Sequence, residues 1–380
     1  MNFAFTQEQE ELRGRVVTFA REQLNPMLRK DAGLSRPIWQ ACGAFGLLGL
    51  SVPREHGGLG LDALSTAVAL EALGYACDDM GLVFSAAAQL LSVSMAVAAH
   101  GTPEQKEKAL LPLCRGEAFA GHAMTEEGAG SDAFAIATTA SRDGDHFVLS
   151  GTKSFVTNGT VADHFLVYAV TQEGAGALGI SAFLVDRSAP GIRTGAPIDK
   201  IGLSRSPACS VYFEDCRVDA GSLVGRLDRG ASVFQESMLW ERACLFAAYV
   251  GRTERLLEET IEQTRSRKQF GKSVAKNQAV SHRVVDMKLR LEGARLLLYR
   301  ACWKLARGEA SAADVALSKL AVSEAAVQSS ADAVQLHGAM GIAEDAGIAR
   351  HLRDAIPSTI FSGTSEIQRE IIAAAMGLYR

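Results

Sequence analysis

Residues 238–248 read MLWERACLFAA and set a carboxylate beside a guanidinium inside an apolar helical run. Successive residues of a helix project about 100° apart, so Glu241 and Arg242 do not neutralise each other along one stripe. One turn away on either side stand Ser237, Met238, Cys244 and Leu245, none of them cationic. A carboxyl group buried next to Trp240, Leu245 and Phe246 has its proton affinity raised by desolvation. Something outside this helix must justify the charge, and an ion pair with a distant Arg or Lys is the structural reading.

Three other stretches could hold a ligand. In AMTEEGAGSD, residues 123–132, small residues let backbone approach a ligand, while Thr125 and Ser131 add hydroxyls. On spacing alone an ordinary turn closed by Ser-Asp is the favoured reading. In RKQFGK, residues 267–272, with Gln278 beyond, Arg267 and two lysines suit a pyrophosphate ahead of a helix start. A helix C-terminus with cations on its dipole and a glycine stop accounts for everything there except Phe270. In IFSGTSEIQR, residues 360–369, Thr364 opens an apolar helical run, as an N-cap or as an anion-binding helix start.

The elements that must position these residues fall into three zones. Residues 1–116 are rich in Ala and Leu with helical periodicity, and Thr6 followed by Glu8 and Gln9 marks the first helix start. Residues 117–229 carry short strand-length segments, with TTASR and HFVLSG flanking an Asp-Gly-Asp turn, and read as a small β-barrel or sandwich. Helical periodicity returns over residues 230–380 in four long segments, near 231–266, 276–305, 312–337 and 364–378, the pattern of a four-helix bundle. Helices, then strands, then helices is not a βαβ alternation, and no GxGxxG occurs, so a Rossmann domain is excluded.

Composition narrows the function classes. The 380 residues have a net charge of −4 and 48% hydrophobic content, with neither sign gathered into a block, which argues against a nucleic-acid surface. Seven cysteines and eight histidines lack metal-ligand spacing, and most of the cysteines read as small buried hydrophobes, so no metal site is expected. The start, MNFAFTQEQEEL, lacks the features of a secretory or transit peptide, and no stretch is expected to reach the roughly 20 apolar residues of a membrane span. A cytoplasmic location follows as the expectation.

Taken together, the motifs resemble the acyl-CoA dehydrogenase family across essentially the whole chain. The resemblance rests on EHGGLGLD (55–62), AMTEEGAGSD (123–132), GTKSFVTNG (151–159), FEDCRV (213–218), SRKQFGK (266–272), QLHGAMG (335–341) and GTSEIQR (363–369). It implies an N-terminal helical domain, a middle β-domain, a C-terminal four-helix bundle, bound FAD and a homo-oligomer, tetramer or dimer. It further implies that Met124, Thr125, Gly130 and Ser131 touch the flavin ring, with Ser131 also near the thioester. Phe155 and Thr157 match the strand that covers the ring, where many relatives have Trp in place of Phe155. Arg267, Gln269, Phe270 and Gln278 match residues that hold the pyrophosphate and adenine end, typically of a neighbouring subunit's cofactor. Gln335, Gly338 and Thr364 match the remaining dinucleotide contacts.

Such enzymes remove the α-proton of an acyl thioester with a carboxylate while hydride leaves the β-carbon for the flavin. Many relatives carry that carboxylate immediately before the GTS motif, where this chain has Ser362, a hydroxyl too weak to serve. The isovaleryl-CoA and long-chain relatives place it instead in an E-R pair, which Glu241-Arg242 matches. The resemblance therefore implies Glu241 as base, Arg242 as an orienting residue, and Ser362 as a backbone donor to the thioester carbonyl. The expected substrate is an acyl-CoA or acyl-carrier-protein thioester, with a mild preference for a short or branched acyl group from the bulk of Phe246 and Tyr249. Electron-transferring flavoprotein is the expected acceptor. The alternatives are an oxygenase or desulfinase on the same fold, and a non-catalytic flavoprotein scaffold.

Overall fold

The computed structural model describes residues 4–379. Helix α1 (Gln7–Phe19) starts where the sequence places it, on a capping box in which Thr6 Oγ1 accepts from Gln9 N and the Gln9 side chain accepts from Thr6 N. After α2 (Asn25–Lys30) and α3 (Arg36–Phe45) come α4 (Ala63–Ala76) and α5 (Met80–Ala88). A π-helical turn, Gln89–Ser94, joins α5 to α6 (Met95–His100), and the short α7 (Pro103–Gln105) and α8 (Leu111–Arg115) complete this zone.

The expectation that no apolar run reaches bilayer length is corrected here. Met80–His100 spans 21 residues with a mean hydropathy of 1.9, long and apolar enough by composition to cross a membrane. In this fold 83% of its most apolar window is buried. A helix apolar on all sides needs neighbours on all sides, and this one has them in β1 (Ala120–Ala123) and in the helix that carries Glu241.

The strands β2 (Thr139–Asp143), β3 (His146–Thr157), β4 (His164–Val170), β5 (Ile180–Asp186), β6 (Ile192–Thr194), β7 (Ala208–Asp219) and β8 (Leu223–Val224) form one mixed sheet with β1. Its order is β6-β7-β3-β2-β4-β5-β8, with β1 parallel to β4. The Asp143-Gly144-Asp145 turn links β2 to β3, with Gly144 at φ 58. The sequence segments HFVLSG and SFVTNG merge into the single twelve-residue β3, bulged between Lys153 and Val156. The sheet encloses its own core, in which Phe147, Phe165, Phe183 and Phe213 are buried.

The C-terminal zone contains α9 (Gly230–Trp240), another π-helical turn (Glu241–Leu245) and α10 (Ala247–Ser266). The segment expected as one helix near 231–266 is therefore interrupted at the residue pair that looked chemically odd. A two-stranded hairpin, β9 (Lys268–Gln269) and β10 (Lys272–Ser273), leads to α11 (Gln278–Ala306) and α12 (Ala312–His337). Beyond these lie α13 (Ala339–Ile342), the unforeseen α14 (Ile348–Ala355) and α15 (Ser365–Ala375). Helix α12 packs against α10, α11 and α15 to make the bundle.

Helices α4 and α10 meet through two glycines. A Cβ on Gly74 would lie 2.0 Å from Ala248 O, and one on Gly251 would lie 1.9 Å from Glu71 O. This contact seats α10, and with it the π-turn ahead of it, on the N-terminal helices. Gly251→Ala is expected to destabilise the fold by about 1–3 kcal/mol through overpacking, read as a lowered denaturant midpoint.

Candidate active site

A cavity of about 150 Å³ opens between the middle zone and the C-terminal helices. Phe234 and Met238 line it from one face of α9 and Glu241 from the start of the π-turn that follows, at the spacing that keeps side chains on one side of a helix. Met124, Thr125, Gly130 and Ser131 line it from the loop after β1, and Ser362 and Gly363 from the turn before α15. Seven of the residues singled out in the sequence thus share one wall, Arg242 included.

Glu241 is 7% exposed, and no cation makes a salt bridge with it among the described residues. Its two carboxylate oxygens accept hydrogen bonds from two serine hydroxyls, Oε1 from Ser362 and Oε2 from Ser92. The apolar setting expected from the sequence is corrected in this respect. Leu245 and Phe246 are fully buried nearby in sequence, yet the carboxylate itself is held by hydroxyl donors. Burial raises its proton affinity above the ordinary carboxylate value, while Ser362, Ser92 and Arg242 pull it part of the way back.

Ser362 contributes more than its backbone. Its side chain reaches Glu241, and its carbonyl accepts from Arg242 Nε at 2.8 Å and from Gln368 Nε2 at 3.3 Å. The turn is sharp, with Ser362 at φ 57 and Gly363 at φ 89. Glycine suits the conformation there, and a Cβ on Gly363 would press on the side-chain ends that hold the turn, 2.8 Å from Gln368 Nε2 and 3.2 Å from Arg242 Nη2. Arg242, largely buried, acts as the anchor of this turn.

The loop after β1 rests on an ion pair that its sequence did not advertise. Lys153, fully buried on β3, donates to Glu126 Oε1 at 2.8 Å and to Met124 O at 3.0 Å. Glu126 also accepts from Ala137 N at 2.7 Å and Thr138 N at 3.0 Å. Burial lowers the Lys153 pKa to about 8 despite the attraction of Glu126. Ser154 N donates to Thr125 O at 2.8 Å, which sets the β3 bulge against the same loop. On that bulge Phe155 has φ 55 and is 63% exposed, a large ring held in a conformation that side chains rarely adopt. Thr125 is exposed too, and no protein atom lies within 4 Å of a Cβ placed on Gly128 or Gly130. These residues form an open ledge that a planar ring system would cover, and they fit a flavin.

The other candidate cofactor residues do not line this cavity. Arg267, Gln269 and Phe270 lie at or next to the β9–β10 hairpin, with Phe270 97% exposed at φ 52, and Gln278 opens α11. Gln335 ends up in the last turn of α12, and Gly338 follows with φ 62 and ψ −135, a conformation open essentially to glycine. Thr364 caps α15, its Oγ1 accepting from Ile367 N at 3.3 Å. No cluster of metal-ligating side chains exists among the described residues.

Sequence reasoning missed Ser92, which sits in a featureless apolar run, QLLSVS, and becomes visible only when its π-turn meets that of Glu241. It also missed His122 and Phe234. The histidines had been weighed for metal spacing alone, although His122 stands two residues before Met124.

Residues 6–117, 121–216 and 228–377 match the family models described as the N-terminal, middle and C-terminal domains of acyl-CoA dehydrogenase. The chain is 52% identical over 341 residues to an L-prolyl-[peptidyl-carrier protein] dehydrogenase of Pseudomonas fluorescens, covering 90% of each. It is 44% identical over 345 residues to the protein of the same description from a Serratia species, covering 91% of this chain and 89% of the other. Among solved structures, one described as PigA with FAD and proline superposes with a TM-score of 0.98 at 40% identity, covering all of both chains.

Proposed function

The chain belongs to the acyl-CoA dehydrogenase family, and on that premise we propose that it is an FAD-dependent dehydrogenase of an L-prolyl thioester borne on a peptidyl carrier protein. The relatives described as acting on that substrate support the choice. The observation that carries the chemistry is Glu241, buried in the cavity wall with both carboxylate oxygens held by serine hydroxyls.

In this reading Glu241 takes the proton from the acyl α-carbon. FAD, when bound, supplies the acceptor for the hydride that leaves the β-carbon. Ser92 and Ser362 aim the carboxylate, and Arg242 fixes the turn whose Ser362 N–H donates to the thioester carbonyl as negative charge develops there. Ser131 flanks the thioester. Met124, Thr125, Gly130, Ser131, Phe155 and Thr157 hold the flavin ring. Arg267, Gln269, Phe270, Gln278, Gln335, Gly338 and Thr364 hold the rest of the cofactor, across a subunit boundary where they are remote from the cavity. The domain division at 116/117 and 229/230 belongs to the same proposal.

Anaerobic titration of the FAD-loaded protein with prolyl thioesters of a carrier protein and of coenzyme A tests the assignment. Bleaching of the flavin absorbance by the carrier-bound form is expected, and its absence with both carriers would overturn the reading. Reduction requires ionised Glu241, whose proton affinity is raised by burial. The reduction rate is therefore expected to fall as pH drops, with the midpoint above that of an exposed glutamate, in single-turnover measurements from pH 5 to 9.

Electron-transferring flavoprotein is the proposed acceptor, and reoxidation by it in preference to O2 is the check. A homo-oligomer is proposed because Phe270 projects almost fully exposed from a hairpin whose neighbours Arg267 and Gln269 do not line the cavity. Phe270→Glu is expected to lower the sedimenting mass and to weaken FAD retention together, measured by analytical ultracentrifugation at two wavelengths. A cytoplasmic location goes with this proposal, since all seven cysteines are free and buried.

A further inference from the structure

One polar feature of the cavity has no part in proton abstraction, thioester binding or flavin binding. His122 lines the wall from β1, and its Nε2 lies 3.3 Å from the hydroxyl of Tyr168, which is wholly buried on the neighbouring β4. Phe234 closes over both, its ring centroid 5.8 Å from the imidazole and 5.7 Å from the phenol, and Phe134 packs on Phe234 at 5.8 Å. An imidazole and a phenol thus sit inside an aromatic wall where plain hydrocarbon would pack without desolvating polar groups. Nδ1 of His122 has no hydrogen-bond partner among the described residues.

His122 shares the cavity wall with Glu241, and Tyr168 backs it from behind. The backbone of β1 is tied to the Gln89–Ser94 π-turn by the hydrogen bond from Ala120 N to Gln89 Oε1, at 2.6 Å, and the same turn presents Ser92 to Glu241. Phe234 on α9 and Glu241 on the π-turn after it line the same wall, and Tyr168 lies near enough for the Glu241 charge to raise its proton affinity further beyond the effect of burial. A substrate whose α-carbon meets Glu241 lies in a cavity of about 150 Å³ whose wall includes His122. Burial holds the imidazole neutral, its pKa lowered to about 4, so it keeps a lone pair for a donor at neutral pH. With Nε2–H turned to Tyr168, Nδ1 accepts; in the other tautomer it donates.

We propose that His122, oriented by Tyr168, hydrogen-bonds the α-nitrogen of a cyclic amino-acyl thioester and selects it over carbocyclic and straight-chain acyl groups. The inference rests on the proposed prolyl thioester dehydrogenation and adds the residue that reads the amine. A site built around such a hydrogen bond discriminates strongly against an analogue that lacks the group, because a buried polar pair is then left unanswered.

The test compares prolyl and cyclopentanecarbonyl thioesters on the same carrier protein, which differ only in the ring NH, with the FAD-loaded enzyme under anaerobic conditions. Wild type is expected to favour the prolyl form by at least about 100-fold in the second-order rate of flavin reduction. His122→Phe is expected to bring that ratio to within about tenfold by losing prolyl rate while keeping the cyclopentanecarbonyl rate. Tyr168→Phe is expected to narrow it less, and His122→Gln, which keeps an amide donor and acceptor, to retain part of it. A wild-type ratio near one, or an unchanged ratio in His122→Phe, overturns the inference while leaving dehydrogenation intact. Should His122→Phe fail to hold FAD, an unchanged ratio in both Tyr168→Phe and His122→Gln overturns it equally. Failure of wild type to be reduced by either thioester sinks the proposed activity itself, a distinct result.

Discussion

Glu241→Gln is expected to slow flavin reduction by the prolyl thioester about 10²–10⁴-fold, the range supplied by a positioned general base. The substitution keeps the shape of the side chain and one hydrogen-bond acceptor, so Ser92 or Ser362 retains a partner. Stability separates this effect from unfolding. Burial raises the Glu241 proton affinity above its unfolded value, so the group favours the folded state below its ordinary pKa. That contribution is lost as pH rises through the raised value. At neutral pH the neutral amide removes this liability. Glu241→Gln is therefore expected to melt at the same temperature as wild type or higher at pH 8, with the difference shrinking toward pH 5, by differential scanning calorimetry. A variant that loses both rate and stability would point to a structural carboxylate instead.

Lys153→Met is expected to be the most damaging single change outside the cavity, costing about 3–5 kcal/mol because it leaves the Glu126 carboxylate buried without its cation. The reason lies in the four interactions that meet there. Lys153 satisfies Glu126 and the Met124 carbonyl at once, while Glu126 collects two backbone N–H groups from residues 137 and 138. Removing the cation loosens residues 124–131 along most of one side of the cavity, so loss of bound FAD should precede global unfolding. Flavin fluorescence released on heating, followed beside far-UV circular dichroism, checks this order. Changing both partners, Glu126→Gln with Lys153→Met, is expected to recover part of the loss, since no unpaired charge then remains. Equal damage from the double variant would show that the charge pair is not the source.

The sequence made the three zones legible because each obeys one periodicity for most of its length. Strand alternation over 139–219 and helical spacing on either side leave little freedom. Glu241 was legible for a different reason, as a charge that its own helix could not explain. The π-turns were not legible, since a single extra residue in a helical turn leaves no compositional mark. Ser92, His122 and Tyr168 were invisible alone because each is unremarkable in its own element, and their chemistry arises from contacts across 46 to 149 positions. The buried Lys153 was hidden by its hydrophilic type, which composition assigns to the surface.

Ser92 and Glu241 both stand in turns that carry one residue more than an α-helix does. Each residue of a helix advances the side chains by about 100°, so deleting one codon from 241–245 would rotate the face bearing Phe234, Met238 and Glu241 relative to α10 by that angle. The acid would swing out of the cleft while the bundle kept its register. If Glu241 is the proton acceptor as proposed, one residue gained or lost in this turn decides whether the acid faces the cavity.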